Sequence, residues 1–207
     1  VKDDRDRVVR KYEGNTTTTY QYDEKGKKPK SVEVTECFEN ETKITSYDGK
    51  GKPTSEVVQI RDGEKTTTQK ITYKDGKKDK GSIQEDTKGK DTKVTEVSFS
   101  GAGGKSTKVT KVKEMTFDKD TGKLKTETAY KDGKVAQKTE HLKDGSEKMT
   151  HYDLKSGKKL SGSKFDSRGK GYTEHYDKQG NVEARTEVVE PGSITKETKF
   201  NKDGSKV

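Results

Sequence analysis

Two histidines occur in the same short motif, His151-Tyr-Asp and His175-Tyr-Asp, 24 residues apart. Histidine is a common zinc ligand, and zinc needs its ligand nitrogens about 2 Å from the metal. Two repeats of 12 residues would place these rings two strands apart in a sheet, about 10 Å from each other at about 4.8 Å per strand. Duplication of a repeat therefore explains the pair better than a shared metal ion.

The chain has a single cysteine, Cys37, so an intrachain disulfide is impossible and the thiol is either free or paired with another chain. No histidine stands near it in sequence, which disfavours a nucleophilic role. Carboxylates are abundant, but a sheet that is polar on both faces has no hydrophobic pocket to shift their pKa values. The sequence therefore predicts no enzyme and no catalytic, cofactor-binding or metal-binding residues.

A glycine-rich stretch, Gly101-Ala-Gly-Gly-Lys105-Ser106, ends like a phosphate-binding loop. The first glycine of that motif should stand at position 99, which is Phe99, and no helical pattern follows. We interpret residues 101–105 as a flexible joint instead.

Two asparagines, Asn15 and Asn40, begin the glycosylation sequon Asn-x-Thr. Both fall at predicted turns, where an acceptor side chain is exposed. Serine and threonine are so frequent in this chain that sequons also arise by chance. Glycosylation of Asn15 and Asn40 is therefore left open.

The composition argues against an ordinary globular core, because only 22% of the 207 residues are hydrophobic and 40% are charged. Such a composition is also found in disordered chains. The net charge is only +9, however, and interspersed charges permit ordered pairing across neighbouring strands. No apolar run is long enough for a transmembrane helix.

Glycines preceded by Asp, Lys, Ser, Arg, Gln or Pro recur along the chain, 11 or 12 residues apart from Gly133 onward. Glycine adopts positive φ without steric cost, and a neighbouring Asp or Asn stabilises a turn. We therefore predict structural turns at Gly26, Gly63, Gly76, Gly133, Gly145, Gly157, Gly169, Gly180 and Gly204.

Between these turns lie segments of about eight residues rich in Thr, Val, Tyr and Lys, such as 65–73 and 92–99. This composition is typical of strands, and helix start and stop signals are almost absent. The sequence thus predicts an all-β fold, a repetitive antiparallel β-hairpin meander with about 12 residues per strand and turn and about sixteen strands. Because neither side of a segment such as 105–117 is clearly apolar, we expect an elongated single-layer sheet rather than a sandwich.

An aromatic residue, then Asp or Asn, two or three polar residues and Gly form a recurring template, as in Tyr176-Asp-Lys-Gln-Gly180. We expect the aromatic to close its strand and the Asp to accept hydrogen bonds from turn amides. The repeat aromatics are Tyr22, Phe117, Tyr152, Phe165, Tyr176 and Phe200.

These motifs resemble the YD repeats of bacterial RHS-type wall and toxin-shell proteins. The segments 73–77 and 130–134, both Tyr-Lys-Asp-Gly-Lys, resemble the hairpin repeats of MORN-like proteins. The composition is also similar to the lysine-rich single-layer sheet of spirochaete outer-surface lipoproteins. The chain departs from the first two families in lacking Trp, and it is too short to form the closed shell of the RHS family.

Taken together, the patterns predict one β-repeat array over residues 1–207, excised or processed from a longer chain because it begins at Val1 and ends at Val207 within the repeat pattern. We expect a non-enzymatic structural or interaction protein, a scaffold or a fibre or surface-layer subunit that associates with itself or with other proteins through sheet edges. The alternative is a module that binds an anionic polymer or a protein partner through a lysine-rich face. An extracellular or cell-surface location fits both expectations.

Overall fold

The fold is all-β. In a computed structural model, residues 1–101, 108–192 and 194–207 are described, and their regular elements are sixteen β-strands. The strands lie in one open sheet in their sequence order, and neighbours run antiparallel. The predicted antiparallel hairpin meander in a single sheet is therefore confirmed. No described residue belongs to a helix that is long and apolar enough to cross a membrane.

The chain divides into two compact units, Val1–Thr110 and Lys111–Val207. The strands of the first unit are β1 (Arg10–Glu13), β2 (Thr16–Tyr22), β3 (Pro29–Cys37), β4 (Glu41–Asp48), β5 (Pro53–Asp62), β6 (Lys65–Lys74), β7 (Lys77–Thr87) and β8 (Thr92–Ser100). Of the predicted joint at 101–105, residues 102–105 lie outside the described residues.

The unit boundary falls inside β9 (Lys108–Phe117). The remaining strands are β10 (Leu124–Lys131), β11 (Lys134–His141), β12 (Glu147–Tyr152), β13 (Lys159–Phe165), β14 (Gly171–Tyr176), β15 (Val182–Glu190) and β16 (Ile194–Lys199).

The tightest hairpins use two-residue loops. Asp75 and Gly76 connect β6 to β7 with φ of 52° and 75°, and Asp132 and Gly133 connect β10 to β11 with φ of 52° and 77°. Two successive residues with positive φ are the mark of a type I′ turn, whose twist matches that of the flanking strands and which favours the sequence Asp-Gly.

A second regularity is a β-bulge beside a tyrosine. At Tyr176 the pairing shifts, because His175 lies opposite Ala184 whereas Tyr176 lies opposite Val182, so that Glu183 is the extra residue. The same shift occurs directly before five other tyrosines, Tyr22, Tyr47, Tyr73, Tyr130 and Tyr152. Since a bulge changes the local twist and redirects side chains, the repeat sets the direction of each tyrosine as well as its position in sequence.

The sheet has no conventional core. Among the described residues no hydrophobic side chain is buried, and the buried polar residues are Thr45, Thr139, Ser146 and Glu174. Cross-strand pairs contribute instead, such as the hydroxyl contact of Thr116 with Thr126 at 2.5 Å and the Lys113–Glu127 ion pair at 3.3 Å. Such pairs contribute about 0.2–1 kcal/mol each, so the backbone ladder and many weak side-chain contacts must stabilise the sheet together.

Candidate functional site

Most of the predicted turn glycines adopt the left-handed backbone conformation. Their φ values lie between 57° and 96°. These residues are Gly63, Gly76, Gly133, Gly145, Gly157, Gly169, Gly180 and Gly204. A side chain at any of them would be strained by the backbone alone.

Gly26 differs, because its φ lies outside the positive range. Its N–H donates to the Asp23 carbonyl at 3.0 Å, which closes a turn, but β3 begins only at Pro29. The Arg7 guanidinium supports this loop by donating to the carbonyl oxygens of Asp23 and Gly26 at 3.0 and 2.9 Å.

The template Asp accepts hydrogen bonds from turn amides. Asp177 Oδ1 accepts from the Gln179 and Asn181 N–H groups at 2.8 and 2.9 Å. These bonds, with that of Asn181 the strongest, hold the pKa of Asp177 below its ordinary value. Turn amides lower the carboxyl pKa in the same way at Asp48, Asp118 and Asp153. At Asp144 and Asp203 the pKa is lowered first by the hydroxyls of Ser146 and Ser205 and then by their amides.

The repeat aromatics lie at strand ends and are half-buried. Tyr22, Phe117, Tyr152, Phe165 and Tyr176 are the last residues of β2, β9, β12, β13 and β14, and Phe200 follows β16. Several rings in the sheet contact a cation, as Tyr22 does with Arg7 (4.8 Å from guanidinium carbon to ring centroid), Tyr152 with Lys138 (5.9 Å) and Tyr176 with Lys159 (5.8 Å). Each ring thus attracts an ammonium or guanidinium group through its negative face.

A hydrogen-bonded side-chain cluster in the second unit surrounds Glu174 of β14. Its carboxylate accepts hydrogen bonds from Tyr176 Oη at 2.8 Å and from Arg185 Nε at 3.0 Å. The Arg185 guanidinium also lies 4.7 Å from the centroid of the Tyr172 ring. Burial and the Glu174 hydrogen bond together raise the pKa of Tyr176 to about 12. This cluster is structural, because its polar atoms are satisfied by one another.

Tyr130 forms a related cluster on β10. Its hydroxyl hydrogen-bonds to Glu114, which also pairs with Lys111 at 2.7 Å. Lys111 Nζ lies 5.2 Å from the centroid of the Tyr130 ring. Burial, followed by the bond to Glu114, raises the pKa of this tyrosine to about 12 as well.

Two adjoining grooves lie beside the turns that follow β12 and β14. The first is lined by Lys134, Val135, Lys138, Tyr152, Asp153, Leu154, Lys155, Ser156 and Gly157. The second is lined by Asp153, Ser156, Lys158, Lys159, Leu160, Tyr176, Asp177 and Lys178. Asp153 and Ser156 belong to both, and Lys158 Nζ donates to the Lys178 carbonyl at 2.8 Å, which connects the two turns. We call these residues together the lysine–tyrosine groove.

Sequence reasoning did not single out Lys138 and Lys159 of this groove. Their positions depend on strand register, which places Lys138 opposite Thr150, two residues before Tyr152, and Lys159 opposite Tyr152 itself. Counting residues from the turn glycines indicates which strands carry these lysines. It does not reveal the bulge beside Tyr152, and it does not show that Lys159, which lies opposite Tyr152, contacts the ring of Tyr176.

The two histidines flank Ser161, because His151 and His175 both pair with it from opposite sides in the ladder. They therefore lie two strands apart, as predicted. No group of three or more metal-ligating side chains occurs within the described ranges.

Cys37 ends β3 and is exposed. The two sequon asparagines, Asn15 and Asn40, are exposed and lie between strands. The backbone carbonyls of both residues accept hydrogen bonds. The Asn15 carbonyl accepts from the Cys37 N–H at 3.0 Å, and the Asn40 carbonyl accepts from the Arg61 N–H at 2.8 Å. Glycosylation at these positions stays a prediction.

Comparison with known proteins gave no relative: no protein-family model matches the chain, and no curated protein has a significantly similar sequence.

Proposed function

We propose that this chain is a non-enzymatic structural protein, a repetitive β scaffold that joins other chains, including copies of itself, through its outer strands. The observation that carries the proposal is the topology. Each strand pairs with the strands next to it in sequence, so β1 and β16 are left as edges of an open sheet. Edge strands present unpaired amide and carbonyl groups, which another chain can extend.

The outward-facing groups of β16 can be identified from its hydrogen bonds. The Phe200 N–H donates inward to the Glu183 carbonyl of β15 at 2.9 Å, whereas the Lys199 carbonyl accepts from the Val207 N–H on the outer side at 3.0 Å. Because strand residues alternate in direction, Thr195 and Glu197 also direct their N–H and C=O groups outward. They form a short segment on which a further strand can pair.

The outer side of β1 is partly covered. The amino group of Val1 donates to the Arg10 carbonyl at 2.7 Å, and the Arg10 N–H donates to the Val1 carbonyl at 3.2 Å. The backbone groups of Arg10 thus point outward and are already hydrogen-bonded to Val1. Tyr12 is the next residue of β1 whose backbone groups point outward. This edge therefore offers a shorter pairing segment than β16.

The two edges differ in charge as well as in length, which favours head-to-tail contact between copies over contact of like edges. Lys196, Lys199, Lys202 and Lys206 lie in or beyond β16. Near β1, Asp3 pairs with Arg7 at 2.7 Å and Asp6 with Lys2 at 2.8 Å, which leaves Asp4 as the acidic residue best able to face the lysines of a second copy. A contact between unlike edges does not close into a dimer, so it produces fibres.

Sedimentation of the purified chain across protein concentration and salt tests the proposal. We expect the sedimentation coefficient to rise with concentration at moderate salt, where repulsion between lysines is screened. Glu197→Pro removes an outward N–H without affecting the ladder to β15, so this variant should stay monomeric while Glu197→Gln, which removes the same charge, still assembles. Tyr12→Pro tests the other edge in the same way.

Two results would refute edge pairing. One is a wild-type chain that stays monomeric at high concentration and moderate salt. The other is assembly of both proline variants to the same extent as Glu197→Gln. An extracellular location and kinship with YD-repeat or MORN-like proteins remain predictions from the sequence.

A further inference from the structure

We propose that the lysine–tyrosine groove of the second unit binds a linear anionic polysaccharide, one that carries carboxylate or sulfate groups along its chain. This inference does not depend on edge pairing, because the groove lies on a sheet face and beside turns rather than on the outer strands.

The first argument is charge. Six lysines line the groove, Lys134, Lys138, Lys155, Lys158, Lys159 and Lys178, against the two acids Asp153 and Asp177. All six are exposed. None of them forms an ion pair with another residue in the described part of the chain, whereas elsewhere in the unit lysines such as Lys113 are paired with glutamates. The groove therefore holds more positive than negative side chains, and an anionic ligand would complement this excess.

The second argument is that the two acids are already engaged. Asp153 Oδ1 accepts from the Lys155 and Ser156 N–H groups at 3.1 and 2.6 Å. Asp177 is held in the same way by the turn that follows β14. The amide groups offset part of each negative charge, and neither carboxylate is within ion-pair distance of a groove lysine.

The third argument is the repeat of the lysine–tyrosine pairs. Lys138 lies over the Tyr152 ring at 5.9 Å and Lys159 over the Tyr176 ring at 5.8 Å. Tyr152 ends β12 and Tyr176 ends β14, so the two pairs are two strands, about 9.6 Å, apart. A ligand with an anionic group repeated along a straight chain can contact equivalent ammonium groups in succession, and each added contact increases affinity by raising the effective concentration of the next.

The fourth argument concerns the class of polyanion. Val135, Leu154 and Leu160 add apolar surface to the groove, and Leu160 is 50% exposed. Sugar rings have apolar faces that can pack on such side chains, which an unadorned polyphosphate lacks. Single-stranded nucleic acid is disfavoured, because its binding relies on aromatic faces that stack with bases and on arginine, whereas here lysine ammonium groups lie over both rings and the groove has no arginine.

Titration calorimetry with a heparin oligosaccharide at low and moderate salt tests the inference. We expect binding whose affinity falls as salt rises, because bound counterions are released. The double variant Lys138→Gln/Lys159→Gln should lose about tenfold in affinity, which is about 1.4 kcal/mol. The matched control is Lys143→Gln/Lys170→Gln, which removes the same amount of charge from two turns outside the groove. This control should change the affinity for heparin less than about twofold.

Three outcomes would overturn the inference. The first is no measurable binding of heparin by the wild-type chain at low salt. The second is an equal loss in the groove variant and the control, which would show attraction by net charge alone. The third is tighter binding of single-stranded poly(dT) than of heparin, with the same sensitivity to the groove lysines. Repeating the titration on monomeric Glu197→Pro separates this result from edge assembly, because the groove variant should differ from the control whether or not the chain assembles.

Discussion

The ring of Tyr176 lies over Gly162 on the neighbouring strand, so closely that a β-carbon on Gly162 would be 3.1 Å from the Tyr176 hydroxyl oxygen. Phe99 covers Gly81 in the first unit in the same manner, at 3.0 Å from the ring. A glycine in a strand normally weakens it, and an aromatic ring from the next strand compensates by covering the exposed backbone. Because no hydrophobic side chain is buried among the residues that the structure describes, such ring-on-glycine contacts are a source of apolar burial.

Removing the Glu174 carboxylate should change the titration of Tyr176. The folded protein raises the pKa of Tyr176 to about 12, through burial first and then the hydrogen bond to Glu174. In Glu174→Gln the burial remains and the anionic acceptor is lost, so we expect a pKa between about 10 and 12. Alkaline titration of phenolate absorbance measures this, with Glu140→Gln, a substitution at an exposed residue of β11, as a control. An unchanged titration in Glu174→Gln would contradict the role of the carboxylate.

The same shift predicts a loss of stability in alkali. Because the folded pKa of Tyr176 and Tyr130 is raised above the unfolded value of about 10, their stabilising contribution is complete below about pH 10 and is lost as the pH rises toward about 12. Denaturant unfolding at pH 9 and pH 11 should show a smaller decrease for Tyr176→Phe than for the wild-type chain, because the phenylalanine ring keeps the packing and cannot ionise.

Substituting Gly171 should be far more damaging than substituting Gly162. A β-carbon on Gly171 would overlap the Lys164 carbonyl oxygen, a backbone atom that can move only with its strand. At Gly162 the nearest atom is the end of the Tyr176 side chain. We expect Gly171→Ala to lower the free energy of unfolding by about 2–3 kcal/mol, and Gly162→Ala to change it by less than half as much. Equal midpoints in urea would show that β13 and β14 are not held at this distance.

Gly133 tests the need for a positive φ at a turn glycine, because a side chain there would meet no steric clash. Nothing lies within 4 Å of a β-carbon placed on Gly133, so only its φ of 77° opposes a side chain there. We expect Gly133→Val to cost about 1–2 kcal/mol. Lys134→Val, at the first residue of β11, should be nearly neutral because valine favours strands. Equal shifts of the unfolding transition in these two variants would contradict the placement of turns and strands in the 12-residue repeat.

The turn carboxylates predict a loss of stability in acid. Hydrogen bonds from turn amides lower the pKa of Asp177, so its contribution is present above the unfolded value of about 3.9 and is lost as the pH falls through the folded pKa. Asp177→Asn keeps an acceptor oxygen but has no charge to titrate, so its unfolding free energy should depend less steeply on pH below about 4. Asp177→Ala, which lacks the acceptor, should be the less stable of the two variants at every pH.

The sequence alone determined the fold class, the strand order and most of the turns. Strand-forming segments that alternate with turn residues every 11 or 12 residues permit little besides consecutive hairpins. Asp-Gly at 75–76 and 132–133 specifies a type I′ turn, because both residues readily adopt the positive φ that this turn requires. The hydrogen bonds of the turn Asp residues were predictable for the same reason, since they join residues two to four apart in the chain. The sequence did not distinguish Gly26, whose turn forms without a positive φ, from the other turn glycines.

Only the tertiary structure decided which side chains meet across strands. The lysine–tyrosine pairs, the Glu174 cluster and the ring on Gly162 all depend on register, and a bulge of one residue beside each of six tyrosines shifts that register at the point where the aromatic stands. A shift of one residue transfers a side chain to the opposite face of a sheet. Composition and periodicity determine that a strand forms. The position of the extra residue in a bulge depends on hydrogen bonds to the neighbouring strand, and local sequence does not encode those bonds.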